Sequence, residues 1–256
     1  MRAALAIALL LIKEIFRKKD FYVALFLMGV ILAYASQMKF YEVRSVTRYL
    51  LDLGLTLVFF LTVILAVSLG ARQVPSEAAG RTLQVLLAKP VTRGQFLLGK
   101  FLGTFLAAAA AFGVFAAVFF GAAFAKGASF EGVLLAQAGF CFLLNLAVVS
   151  AMAVGLSPYL TVSANVSLTL VTYLAINLYG PGLKDAGAAL APPLQAVTWT
   201  LYYFLPHFEF FDLRQRLVHR WGALSPKLLL FLAAYAALYA AAFLVAGWLG
   251  LRRRKV

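Results

Sequence analysis

Six long apolar runs, set apart by short polar or charged stretches, dominate the chain. They are Phe21 to Met38, Tyr49 to Ala71, Phe101 to Ala125, Gly132 to Leu156, Val162 to Tyr179 and Leu228 to Leu251. Each approaches the roughly 20 apolar residues a helix needs to cross hydrocarbon. Only Asp52 interrupts the second run, near its start. Pro158 predicts a tight turn after the fourth, and Pro181, Gly182 and Pro192-Pro193 open a long loop over residues 181–227. Ahead of the first run, Met1 to Ile12 is also apolar. It leads into Lys13-Glu14-Ile15-Phe16-Arg17-Lys18-Lys19-Asp20 rather than into a small-residue cleavage site. Residues 1–20 therefore predict a helix lying in the membrane interface.

The stretch from Gln73 to Lys100 is the most polar-punctuated part of the N-terminal half. From Glu77 to Ala88, Ala79, Leu83, Leu86 and Leu87 recur at helical spacing, with Glu77, Arg81 and Gln84 on the other face. Pro90 stops that helix, because the residue before a proline is pushed out of the helical region. Thr92 and Gln95 have the spacing of a capping box, and Val91 and Phe96 that of a hydrophobic staple. The pattern predicts a short amphipathic helix, a sharp turn, and the capped start of a long apolar helix.

Composition narrows the class. The chain has 256 residues, of which 64% are hydrophobic and 12% charged, and its mean hydropathy is +0.94. A soluble domain carries about 25% charged residues, so this is an integral membrane protein folded as one bundle. The net charge of +14 does not call for nucleic acid, because the basic residues cluster beside apolar runs. With the N-terminus in the cytoplasm, 14 of the 23 basic residues fall on that side, including those of the Gln73–Lys100 stretch and Arg252-Arg253-Arg254-Lys255. The excess places both termini and residues 73–100 in the cytoplasm. A single cysteine, Cys141, lies within an apolar run and is read as a small buried hydrophobe.

The order Glu77, Gly80, Thr82, Leu86-Leu87, Pro90-Val91-Thr92-Arg93, Gly99-Lys100 resembles the cytoplasmic segment of type-2 ABC exporter permeases. The Lys13-Glu14 and Arg17-Lys18 pattern resembles the amphipathic N-terminal helix of the same family. The resemblance implies an all-α integral membrane protein with six transmembrane helices, an N-terminal interfacial helix and a cytoplasmic coupling helix. It implies a coupling set of Glu77, Gly80, Arg81, Thr82, Gln84, Pro90, Thr92 and Arg93, seated on a separate ABC ATPase dimer that holds ATP and magnesium. A second copy of the permease, or a related one, would complete the assembly in the plasma (inner) membrane.

Other signals weigh against chemistry in the chain itself. Gly94 to Lys100 satisfies G-x-x-x-x-G-K, but Phe101 stands where a phosphate loop needs Ser or Thr, and no strand precedes it. No HExxH or GxSxG occurs. His207, Glu209, Asp212 and His219 lack compact metal-ligand spacing, and the aromatic-rich run from Trp199 to Trp221 suits a pair of interfacial helices. Gly99 and Gly103, continued by Ala107 and Ala111, form a small-residue stripe for close helix packing, within the subunit or between subunits. Thr161, Asn165, Thr169 and Thr172 share one face of the fifth run, with Asn145 in the fourth. Polar groups in hydrocarbon need partners, so that face points into the bundle, as interhelical glue or as a substrate path. The expectation is a non-enzymatic permease of an ATP-driven exporter, with neither cofactor nor metal of its own and no nucleic-acid partner. The alternative is a membrane anchor that docks a cytoplasmic complex without transporting anything.

Overall fold

The computed structural model describes residues 14, 17, 19–37, 43–79, 92–125, 127–128, 130–188, 192–219 and 221–253. Among them there is no strand. The helices are α1 (Lys19–Gln37), α2 (Val43–Ala79), α3 (Arg93–Ala125), α4 (Gly132–Leu156), α5 (Val162–Ala188), α6 (Pro192–Phe204), α7 (Arg214–His219) and α8 (Pro226–Arg253), with a 3-10 turn at Phe208–Phe211.

Among the described residues, four stretches are long and apolar enough to cross a membrane: Leu51–Glu77, Arg93–Ala125, Gly132–Leu156 and Pro226–Arg253. Phe21–Ala33 and Val162–Leu178 are shorter apolar helices. The protein is thus multi-pass. α4 is the central element and packs against α2, α3, α5, α7 and α8. It is largely apolar, and Cys141, Phe142, Leu146 and Val149 on it are completely buried, whereas Val133 and Phe140 near its start stay exposed. α8 leaves Leu230, Phe231, Leu238 and Val245 exposed along one side, the face that lipid covers in a spanning helix. An aromatic cluster joins α2, α3 and α4: Phe59 stacks on Phe142 with ring centroids 3.9 Å apart, and Phe112 meets the same ring at 4.6 Å.

Two helices run on past the boundaries expected for them. α2 does not end at Ala71. It passes through Pro75 to Ala79, so Glu77 belongs to its final turn and does not open a separate helix. The proline deprives Ala71 O of its helical donor, and polar side chains in the adjacent turns bond the neighbouring carbonyls: Gln73 Nε2 donates to Leu69 O at 2.9 Å and Ser76 Oγ to Arg72 O at 2.6 Å. Likewise α5 continues through Pro181 and Gly182 to Ala188, and Asn177 Nδ2 donates to Tyr173 O at 2.9 Å just before that proline.

The turns follow local chemistry. After α3, Gly127 adopts φ +78°, a left-handed value that strains any residue with a Cβ. Ala128 N donates to Ala123 O at 3.0 Å and Gly127 N to Phe124 O at 2.9 Å, the paired bonds that end a helix at such a glycine. The Pro158 turn is tight, as expected, with Ser157 Oγ donating to Val154 O at 2.6 Å.

Candidate functional site

One end of the bundle gathers the last turns of α2, α4 and α8 and the first turns of α3. The capping box is present there in full. Gln95 N donates to Thr92 Oγ1 at 3.2 Å, and Thr92 N donates to Gln95 Oε1 at 3.1 Å. These bonds satisfy two backbone donors that a helix start otherwise leaves orphaned. Arg93, the first residue of α3, reaches across to the end of α8. Its Nη1 donates to Leu251 O at 2.7 Å and to Arg252 O at 3.0 Å. Carbonyls in a last turn lack intrahelical donors and carry the negative end of the helix dipole, so a guanidinium suits both needs.

Lys100 is buried, its side chain only 9% exposed, and its Nζ lies 2.7 Å from Glu77 Oε1. The Phe96 ring lies 5.6 Å beneath the ammonium. The G-x-x-x-x-G-K run is therefore continuous helix with its lysine committed to Glu77. Phe96 belongs to a small apolar cluster with Val74, Leu97, Val154 and Leu251. The Glu77–Lys100 pair ties the last turn of α2 to α3. Gly80, Arg81, Thr82, Gln84 and Pro90 of the coupling set, and Val91 of the staple, lie outside the described residues.

The seam between α4 and α8 is made of backbone. A Cβ placed on Gly155 would lie 2.3 Å from Phe243 O, and one on Gly247 would lie 2.8 Å from Gly155 Cα. Tyr159 lays its ring against Gly250 and donates its hydroxyl to Ala246 O. The Gly99, Gly103, Ala107 and Ala111 stripe is buried within this chain, so its packing role is served inside the subunit.

Within the bundle, part of the polar face comes together. Asn165 Nδ2 donates to Ala153 O at 2.8 Å and Thr169 Oγ1 donates to Asn165 Oδ1 at 3.1 Å. Asn145 Nδ2 donates to the Tyr173 hydroxyl at 3.3 Å. Thr104 Oγ1, Asn145 Oδ1 and Ser150 Oγ are buried without a hydrogen-bond partner. Thr161 is exposed at the start of α5, where its Oγ1 accepts from Ala164 N at 3.4 Å, and Thr172 is half-buried. Neither joins Asn145, Asn165 and Thr169.

The opposite end holds a charged group that spacing did not single out. α6 keeps Trp199, Tyr203 and Phe204 exposed, but the chain then turns inward and buries Phe208, Phe211, Leu213 and Leu217. Arg214 fills the mouth between this segment and α2. It makes a forked pair with Asp212, at 2.6 Å for Nη2 to Oδ2, donates to Thr56 Oγ1 at 2.8 Å, and stands over the Phe59 ring. Gln215 Nε2 donates to Asp52 Oδ1 at 3.2 Å. Burial pulls the Arg214 guanidinium down, but the hydrogen bond and charge of Asp212 outweigh it and hold the group above its ordinary value. Glu209 is shifted up, chiefly by burial and against the pull of His207, and its Oε2 has no partner. Among the described residues no three His, Cys, Asp or Glu side chains converge as metal ligands.

The family model described as ABC-2 family transporter protein matches residues 5–254. No curated protein matches the chain.

Proposed function

The chain belongs to the ABC-2 transporter family, and from that premise we propose that it is the permease subunit of an ATP-driven exporter, coupled to hydrolysis on a separate ATPase. The observation that carries this is the clamp at the base. The helices flanking residues 80–91 are held together by Glu77 and Lys100, and the second is locked through Arg93 to the end of α8. A force applied to residues 80–91 thus enters the bundle through fixed points. In this reading α1 and α5 complete six spans, the termini and residues 73–100 face the cytoplasm, and the membrane is the plasma (inner) membrane. Residues 77–93 dock in a groove of the ATPase, as helices bind grooves through a few anchors. Two ATPase subunits hold ATP and magnesium, and a second permease copy or a related permease pairs with this one. Asn145, Asn165 and Thr169 line the substrate path, and rigid-body motion of the spans alternates access.

Affinity purification of the permease from its native membrane, followed by native mass spectrometry in nanodiscs, tests the assembly. The expected result is two Walker-motif ATPases with two permeases. Absence of any ATPase would refute the reading. ATP hydrolysis with no movement of any cargo in proteoliposomes would favour the anchor.

A further inference from the structure

We propose that α4 and α8 together form a strut that carries displacement from the start of α3 to the buried segment at the opposite end, with Arg93 and Tyr235 as its attachment residues. This rests on the coupling reading for its purpose, though not for its test. At the base, Arg93 holds two carbonyls of the last turn of α8, and Leu97 of α3 packs against Gly247. Any shift of the α3 start is therefore delivered to α8 directly.

Along its length the pair resists shear. Gly155 meets Phe243 and Gly247 backbone to backbone, so no flexible side chain lies between the helices at the crossing to absorb a displacement. Packed interiors transmit strain because they are close-packed. α8 has 28 residues, which gives a rod of about 42 Å at 1.5 Å per residue. Its only proline, Pro226, stands at the first helical position, where it interrupts nothing.

Sixteen residues back from Leu251, about 24 Å along the rod, α8 is bonded to the buried segment. His207 N donates to the Tyr235 hydroxyl at 2.9 Å, and the Tyr239 hydroxyl donates to Leu205 O at 3.3 Å. α4 is fastened as well. Gln137 Nε2 donates to Leu224 O at 3.0 Å and Leu224 N donates to Gln137 Oε1 at 2.8 Å. α2 also touches both ends, through Glu77 and through Thr56. Gly70 and Val74 of α2 pack at the base too, but its ion pair there lies beyond Pro75, where the helical ladder loses a bond. The α4–α8 pair has no such interruption.

Hydrogen exchange on the full chain in lipid nanodiscs tests the strut with neither ATPase nor cargo present. Arg93→Gln should raise exchange at residues 247–253 and also at 205–213, by at least about five-fold, the low end of ordinary coupling. Tyr235→Phe should act first on 205–213 and, by reciprocity, on 247–253. Arg93→Lys keeps a donor for Leu251 O and should restore most of the protection. Thr56→Val loosens the far segment from α2 and should leave 247–253 unchanged. An Arg93→Gln effect confined to the base would overturn the proposal, as would a rise spread evenly through all peptides, including 21–33. If Arg93→Gln does not insert, Tyr235→Phe and Arg93→Lys decide between the same outcomes. Loss of the strut in this experiment leaves the permease reading standing, and failure to recover an ATPase leaves the strut standing.

Discussion

Breaking the Glu77–Lys100 pair should cost more than an exposed ion pair would, and removing both members together should cost no more than removing one. The two atoms are 2.7 Å apart, and the side chains are 9% exposed for Lys100 and 21% for Glu77. Exposed pairs contribute about 0–1 kcal/mol, whereas removing one partner of a buried pair costs about 3–5 kcal/mol because the other charge is stranded. Partial exposure of Glu77 puts this pair near the lower bound, so Glu77→Gln and Lys100→Met should each cost about 3 kcal/mol. Glu77 lies in the last turn of α2, where a bare carboxylate opposes the helix dipole by about 0.3–1 kcal/mol. Part of the cost of Lys100→Met is that lost compensation. The double variant should cost about as much as one single variant, which corresponds to an interaction term of about 3 kcal/mol, the top of the range for directly coupled neighbours. Reversible unfolding of the four species in mixed micelles measures the cycle. Single variants that each change stability by less than about 0.5 kcal/mol, within the noise of additivity, would show that the pair does not clamp the base.

Gly155→Ala drives a Cβ into a backbone oxygen and should destabilise the fold by about 1–3 kcal/mol as an overpacking change, while Gly139→Ala, which meets open space, should be silent in the same thermal assay. Arg214→Lys keeps the charge but loses the fork to Asp212 and the reach to Thr56. It should raise protease sensitivity at 205–219 nearly as much as Arg214→Gln does. Asn165→Ala removes two buried bonds and should cost about 0.6–1.7 kcal/mol, the span seen for polar contacts between membrane helices. Glu209 is held above its ordinary value by burial, so the fold favours its protonated form. That contribution is complete below the unfolded carboxyl value of about 4.3 and is lost as pH rises through the folded value. Protection of 205–213 against exchange, corrected for intrinsic rates, should therefore fall as pH rises through that window, and Glu209→Gln should flatten the profile.

Much of this was legible in the residues themselves. Thr92 and Gln95 announce the start of α3 because capping is a contact between neighbours in sequence. Runs of apolar residues announce α3, α4 and α8 because length in hydrocarbon depends on composition alone. Contacts that depend on the fold left no such trace. The acceptors of Arg93 are backbone carbonyls on α8, and any sequence has carbonyls. Lys100 stood out as the end of a false phosphate loop and of the family-like segment, but its pairing with Glu77 across the polar segment left no trace in spacing. Arg214 read as one loop charge among several until the chain around Phe208 and Phe211 turned inward. Pro181 was misleading because a helix in lipid has no water to exchange its bonds for, so it persists where a soluble one would stop.

The glycine seam also orders events in time. Gly155 and Gly247 are about 90 residues apart, and at roughly 5–20 residues per second of synthesis α4 waits some 5–20 seconds for its partner. During that interval the groove at Gly155 stands open to lipid, and the Arg93 side chain has none of the α8 carbonyls it will hold. Ribosome stalling after residue 225 would hold the nascent chain in this half-made state. That is the window in which membrane chaperones and proteases meet the protein, and a slow or mutated α8 would be judged there rather than after folding.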